Sequence, residues 1–172
     1  HWIIEGEDTT LFKQNKNETK TIDIIFAGSR DHKRHKIISE IKRHNIQIKW
    51  IGDGADHPAV YEEALVNLYQ KSKIVLHINR EGDGFSNRII QALSCGSFCL
   101  TEQAEDIKKI FCKEKHLDWF NSSQSCIEQI KHYLKNANNR EKIAKTGCKF
   151  VQENYTWTHQ IQKIITLINK KS

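Results

Sequence analysis

Apolar residues fall along this chain in short blocks that alternate with stretches of helical periodicity. Residues 21–27 are β-branched and apolar, and Gly28 and Ser29 follow directly. From Lys33 to His44, the apolar positions Ile37, Ile38 and Ile41 recur on one helical face. The alternation then repeats. A strand over 47–51 ends at Gly52-Asp53-Gly54, and a helix starting near Pro58 runs to Gln70. A strand over 73–78 leads into a glycine-bearing loop and a helix from Ser86 towards Gly96. Further strands are expected over 97–101 and 117–120, with a short helix over 104–111 between them. The remainder reads as helices over 123–136, 139–154 and 158–169. Residues 1–12 read as a short strand and turn and the Lys/Asn-rich 13–20 as linker, ahead of one folded unit over 21–172. No Asn-Gly or Asp-Gly pair joins adjacent strands, and the strands are short and apolar. The pattern predicts α/β architecture: a Rossmann-like three-layer α/β/α domain with a parallel sheet and a helical C-terminus.

In such sheets ligands bind beyond the carboxyl ends of the strands. Here those ends carry Gly28-Ser29-Arg30, Gly52-Asp53-Gly54 and Glu81-Gly82-Asp83-Gly84. The third loop feeds a helix N-terminus, where unpaired N–H groups and the positive pole of the helix dipole favour an anion. Gly84, Phe85, Ser86 and Asn87 are candidate backbone donors. Arg30, Lys33, Arg34 and Arg88 are candidate cations, arginine being suited to holding two phosphate oxygens. A sugar diol needs a carboxylate or amide acceptor, and Asp83 and Gln91 flank the loop. The same two residues would equally serve as a turn cap and a helix-surface residue.

Composition narrows the choice only slightly. The net charge of +6 over 172 residues suits a polyanionic small ligand or nucleic acid. Five cysteines without a CxxC pair disfavour a disulfide framework and favour a reducing compartment. His32 and His35 lack a supporting carboxylate or cysteine cluster, so no metal site is expected. No apolar run approaches the ~20 residues that span a bilayer. There is no P-loop, G-x-G-x-x-G fingerprint, nucleophile elbow or kinase signature.

The order of motifs resembles the C-terminal, donor-binding domain of GT-B glycosyltransferases of the group 1 kind, especially the CgeB-like branch. Gly6-Glu7-Asp8 with Leu11-Phe12 is similar to the segment joining the two halves of those enzymes. Ile24 to Ser29, with Arg34, resembles their first strand and phosphate-side arginine. Tyr61 with 72–79, Asn87 to Gly96, Arg140 to Gly147 and Tyr155-Thr156-Trp157 resemble their later motifs. The resemblance implies a UDP- or GDP-linked sugar as substrate, transfer with retention, and no metal or other cofactor. It implies that Arg34 and Arg88 serve catalysis at the diphosphate. Gly28, Ser29, Arg30, Gly54, Asp83, Gly84 to Asn87 and Gln91 would contact the donor. Where the family carries a ribose-gripping glutamate, this chain has Gln91; Asp83 stands where the family has another glutamate. An acceptor-binding N-terminal domain is the implied partner, and this chain alone would turn over little. Cytoplasmic localisation is expected, with peripheral association at the inner membrane face as the variant. The alternative is a degenerate, non-catalytic Rossmann-like interaction module. Nucleic-acid binding through the basic run 30–36 ranks last, because no aromatic residues interleave it for base stacking.

Overall fold

The computed structural model describes residues 3–80 and 84–170. Five parallel strands form one sheet in the order β2-β1-β3-β4-β5: β1 (Ile22–Ala27), β2 (Lys49–Ile51), β3 (Ser72–His77), β4 (Phe98–Glu102) and β5 (Asp118–Phe120). Between and after them run α1 (His32–Arg43), α2 (Glu62–Gln70), α3 (Asn87–Ser94), α4 (Glu105–Ile110), α5 (Ser123–Lys135), α6 (Ala137–Asn154) and α7 (Trp157–Asn169). Side chains alternate across each strand, so both faces can be apolar at once. Ile24, Phe26, Ile74, Leu76, Phe98 and Leu100 pack on one side with Ile38, Ile41, Ile127 and Ile130 of α1 and α5. Ile25, Ala27, Val75 and Cys99 face the other side with Leu65, Tyr69, Ile89 and Leu93 of α2 and α3. The expected three-layer parallel architecture is what forms.

Local chemistry sets the helix starts. Asp31 caps α1 by accepting the Arg34 N–H at 2.8 Å, and Lys42 and Arg43 complement the dipole at its far end. Ser86 caps α3, accepting the Arg88 N–H. Reciprocal Ser122/Ser125 and Thr156/His159 pairs open α5 and α7.

Two expectations need correction. Residues 3–12 form no strand of the sheet. Glu7 makes one bridge to Thr156, its N–H donating to Tyr155 O at 2.9 Å, and Asp8 then closes a turn onto Thr10. The segment is drawn to the α6–α7 corner instead: the Gly6 backbone lies so close to that of Trp157 that an added Cβ would sit 2.6 Å from its Cα. Second, α2 begins at Glu62, not near Pro58. His57 bridges to Ile51, with its N–H on Trp50 O at 3.1 Å, which keeps the chain extended beside β2.

Glu7 is buried, and its Oε2 has no hydrogen-bond partner among the described residues. Burial raises its carboxyl to about 7 from 4.5, with the Asp8 and Glu5 charges adding to the rise against the Asp8 N–H bond. The folded value lies above the unfolded one, so the neutral carboxyl's contribution is complete below pH 4.5 and is lost as pH rises towards 7. Glu7→Gln should remove this loss, worth roughly 1–3 kcal/mol. Urea midpoints at pH 5 and pH 8 check it: the wild-type decline between the two should exceed that of E7Q, and parallel declines would refute it.

Candidate functional site

The strand order reverses its direction of travel between β1 and β3, so the loops leaving these two strands part to opposite faces of the sheet. That split opens a crevice at their carboxyl ends. Gly28 and Ser29 leave β1 here, and Asn79 and Arg80 follow β3. Arg80 Nη2 donates to Ser29 Oγ across the gap. Three adjoining clefts run along this edge. One of about 220 Å³ is lined by Gly28, Ser29, Gly52, Tyr61, Arg80 and Arg88 among others. A second, of about 380 Å³, lies between Ser29, Arg30, Lys33 and Arg80. A third, of about 510 Å³, is bounded by Glu5, Phe12, Tyr61, Glu62, Asn87, Arg88 and Gln91. Shared residues join them: Ser29 and Arg80 link the first two, Tyr61 and Arg88 the first and third.

Positive charge lies close to the crevice floor, and a buried neighbour registers it. His77, under the floor and beside Thr101 Oγ1 at 3.1 Å, is held neutral with its pKa lowered to about 3. Burial is the main cause, and the charges of Arg34, Arg88 and Lys33 add to it. Arg88 also hydrogen-bonds the hydroxyl of buried Tyr69, which burial pushes up to about 12. Lys33 pairs with Glu102 at 2.8 Å, and Glu102 also accepts the Asn79 N–H. Arg30 sits over the Trp50 ring, and its N–H donates to Asp53 O at 2.8 Å.

The structure brings together most of the residues read from the sequence, though not all in the same way. Gly28, Ser29, Arg30, Ser86, Asn87, Arg88 and Gln91 line the clefts, joined by Lys33. Asn87 Oδ1 is a buried acceptor there without a partner among the described residues. Gly54 lies alongside Arg30 at φ 68. Gly84 instead faces α4: a Cβ on it would lie 2.6 Å from Asp106 Oδ2. Phe85 packs against the core. Arg34 lies beneath the clefts and lines none of them. Its Nε and Nη2 donate to Ile78 O at 3.1 and 2.9 Å, and its Nη1 to Ser29 O at 3.2 Å. Glu81, Gly82 and Asp83 lie outside the described residues, as does Trp2. Among the described residues no group of three His, Cys, Asp or Glu side chains is placed to hold a metal, and no helix is long and apolar enough to cross a membrane.

Arg80, Glu62 and Glu5 are not among the candidate site residues read from the sequence, and Tyr61 enters only as part of a family motif. Arg80 carried a usable signal, a cation directly after a strand at the binding edge. The other three come from elements whose meeting is tertiary.

The chain superposes on the Anabaena protein Alr3699/HepE, solved in complex with UDP-glucose, with a TM-score of 0.80 at 14% identity, over 98% of this chain and 57% of that one. A glycosyltransferase from Rickettsia africae gives 0.79 at 14% identity, over 98% of this chain and 56% of that one. The C-terminal domain of a Francisella tularensis glycosyl transferase group 1 family protein, LpcC, gives 0.67 at 16% identity, over 88% of this chain and 99% of that domain. The chain thus spans little more than half the length of the first and second of these structures. No curated protein matches. The sequence pattern of the family described as glycosyl transferase-like matches residues 30–166. A five-stranded parallel sheet of GT-B C-terminal type and a family match over most of the sequence lead to one conclusion: this chain belongs to the glycosyl transferase-like family.

Proposed function

We propose that this chain is the donor-binding half of a retaining, metal-independent GT-B glycosyltransferase of the CgeB-like branch, taking a UDP- or GDP-linked sugar. The observation that carries this reading is the convergence of Ser29, Arg30, Arg80 and Arg88 with the first turn of α3 on one crevice. As the glycosidic bond to the nucleotide breaks, negative charge grows on the departing diphosphate. Fixed cations and a helix N-terminus stabilise that charge where it develops, without reorganising at the moment of reaction. The dipole contributes only ~0.3–1 kcal/mol per anion, so the arginines must carry most of the stabilisation. The HepE complex with UDP-glucose supports a nucleotide sugar on this fold. An acceptor-binding domain is the partner in this reading. The exposed Trp157, Ile161, Ile164, Ile165 and Ile168 of α7 offer it an apolar face.

Calorimetry with UDP, GDP, uridine and guanosine, with and without EDTA, tests the proposal. A nucleoside diphosphate should bind regardless of EDTA. Arg80→Ala and Arg88→Ala should each weaken it about tenfold, while changing nucleoside binding far less. A folded sample that ignores every nucleotide would defeat the reading.

A further inference from the structure

The cleft of about 510 Å³ holds two carboxylates that the phosphates do not use, Glu5 from the N-terminal segment and Glu62 from the start of α2, the latter adjacent to Tyr61. A diphosphate beside Arg80 and Arg88 leaves its nucleoside room to extend past Arg88 into this cleft, which Tyr61 also borders. A ribose brings two neighbouring hydroxyls, both donors, and needs acceptors. Gln91 offers only a neutral amide, and Asn87 Oδ1 one buried oxygen, unpartnered among the described residues. Glu62 lines the same cleft, and its side chain makes no hydrogen bond or ion pair among the described residues. It also holds a left-handed backbone, φ 49, at the first residue of α2. For a residue with a side chain that conformation is disfavoured, and where it persists the surroundings impose it. Adjacent Tyr61 is 66% exposed, so its ring is open to a flat partner.

We infer that Glu62 is the acceptor for the vicinal hydroxyls of the ribose, supplied from α2, where α3 presents only the neutral Asn87 and Gln91. The inference rests on the donor-binding reading above. It makes Gln91 a relocation of the carboxylate rather than a sign of a lost site. Glu62 thereby sets the specificity for ribonucleotides over deoxy forms.

Calorimetry with UDP and GDP against their 2′,3′-dideoxy counterparts tests it on the intact chain. Wild type should bind the ribonucleotide about tenfold more tightly than the dideoxy form. Glu62→Gln should lose that margin on the ribonucleotide alone, leaving the dideoxy affinity unchanged. Glu62→Asn, which tolerates the left-handed backbone but lacks the carboxylate, should behave the same way. If either variant keeps the tenfold preference, the inference is overturned. An equal fall for both nucleotides together with a lower melting temperature would overturn it too, marking Glu62 as structural. Wild type that binds nucleotide without preferring the diol form defeats Glu62's role alone. Wild type that binds neither UDP nor GDP defeats the donor-binding reading itself.

Discussion

Arg34→Ala should both destabilise the chain and weaken its grip on nucleotides. The guanidinium donates to two main-chain carbonyls, Ile78 O after β3 and Ser29 O after β1, and lies 5.4 Å from the Phe26 ring centroid. Its side chain is only 9% exposed. Truncation leaves two carbonyls under the crevice without their charged donor and opens space beside Phe26. A loss of about 3 kcal/mol is expected, which is large against a total of roughly 5–15 kcal/mol for a domain. The same two loops carry Ser29 and Arg80, so their loosening should weaken nucleoside and diphosphate binding together. Arg34→Lys should recover only part of the stability, because an ammonium lacks the planar fork that serves both carbonyls. Urea unfolding with nucleotide titration separates the cases. A variant of unchanged stability that loses only diphosphate affinity would put the guanidinium on the phosphate, the role the family resemblance implies, and not under it.

Gly52→Ala should be at least as damaging, by a different route. Gly52 ends β2 with φ 145, a conformation suited to glycine. A Cβ there would lie 2.5 Å from the Gly28 carbonyl carbon and 2.9 Å from Ser29 N. These are backbone atoms, and they are held in place. Gly28 N–H donates to Ile51 O at 2.8 Å, and Gly28 O accepts the Trp50 indole N–H, also at 2.8 Å. Relief requires the β1 loop to move off β2, at a cost of roughly 3 kcal/mol or more. The displaced residues line the 220 Å³ cleft, so nucleotide affinity should fall with stability. Gly54→Ala is the control. At φ 68 it pays for the backbone, but its Cβ would meet only the Arg30 side chain at 3.4 Å, so about 1 kcal/mol is expected. Thermal melts of the pair should differ by several degrees, and equal melting temperatures would contradict the close-approach argument.

Both substitutions act on the loop that leaves β1, at the edge where the clefts meet. The cations arrive there from separate elements: Arg30 from the β1–α1 loop, Arg80 from the end of β3 and Arg88 from the start of α3. Ser29 is held from above by Arg80 and from below by Arg34. A mutation in the supporting layer therefore reaches the ligand through the backbone, without any contact of its own.

The chain's own pattern determined the strands and helices in their order, because side-chain period and glycine punctuation are local. Blocks such as Ile74-Val75-Leu76 can satisfy both faces of a sheet only as a buried strand. Ile37, Ile38 and Ile41 make one stripe only in a helix. The glycine-ended strands β1 and β2 likewise pointed to the edge that carries the clefts, since parallel strands carry their loops to one side. Residues 3–12 misled, because the partner of this segment, the α6–α7 corner, lies about 150 residues further along. Only the tertiary structure decided what each charged group does. Arg34 and Arg88 are the same residue type, yet the depth of packing commits Arg34 to carbonyls beneath the floor and leaves Arg88 on the cleft wall. Glu62 joins Gln91 for the same reason: no periodicity encodes the distance between residues on different helices, which is set by how those helices pack on the sheet.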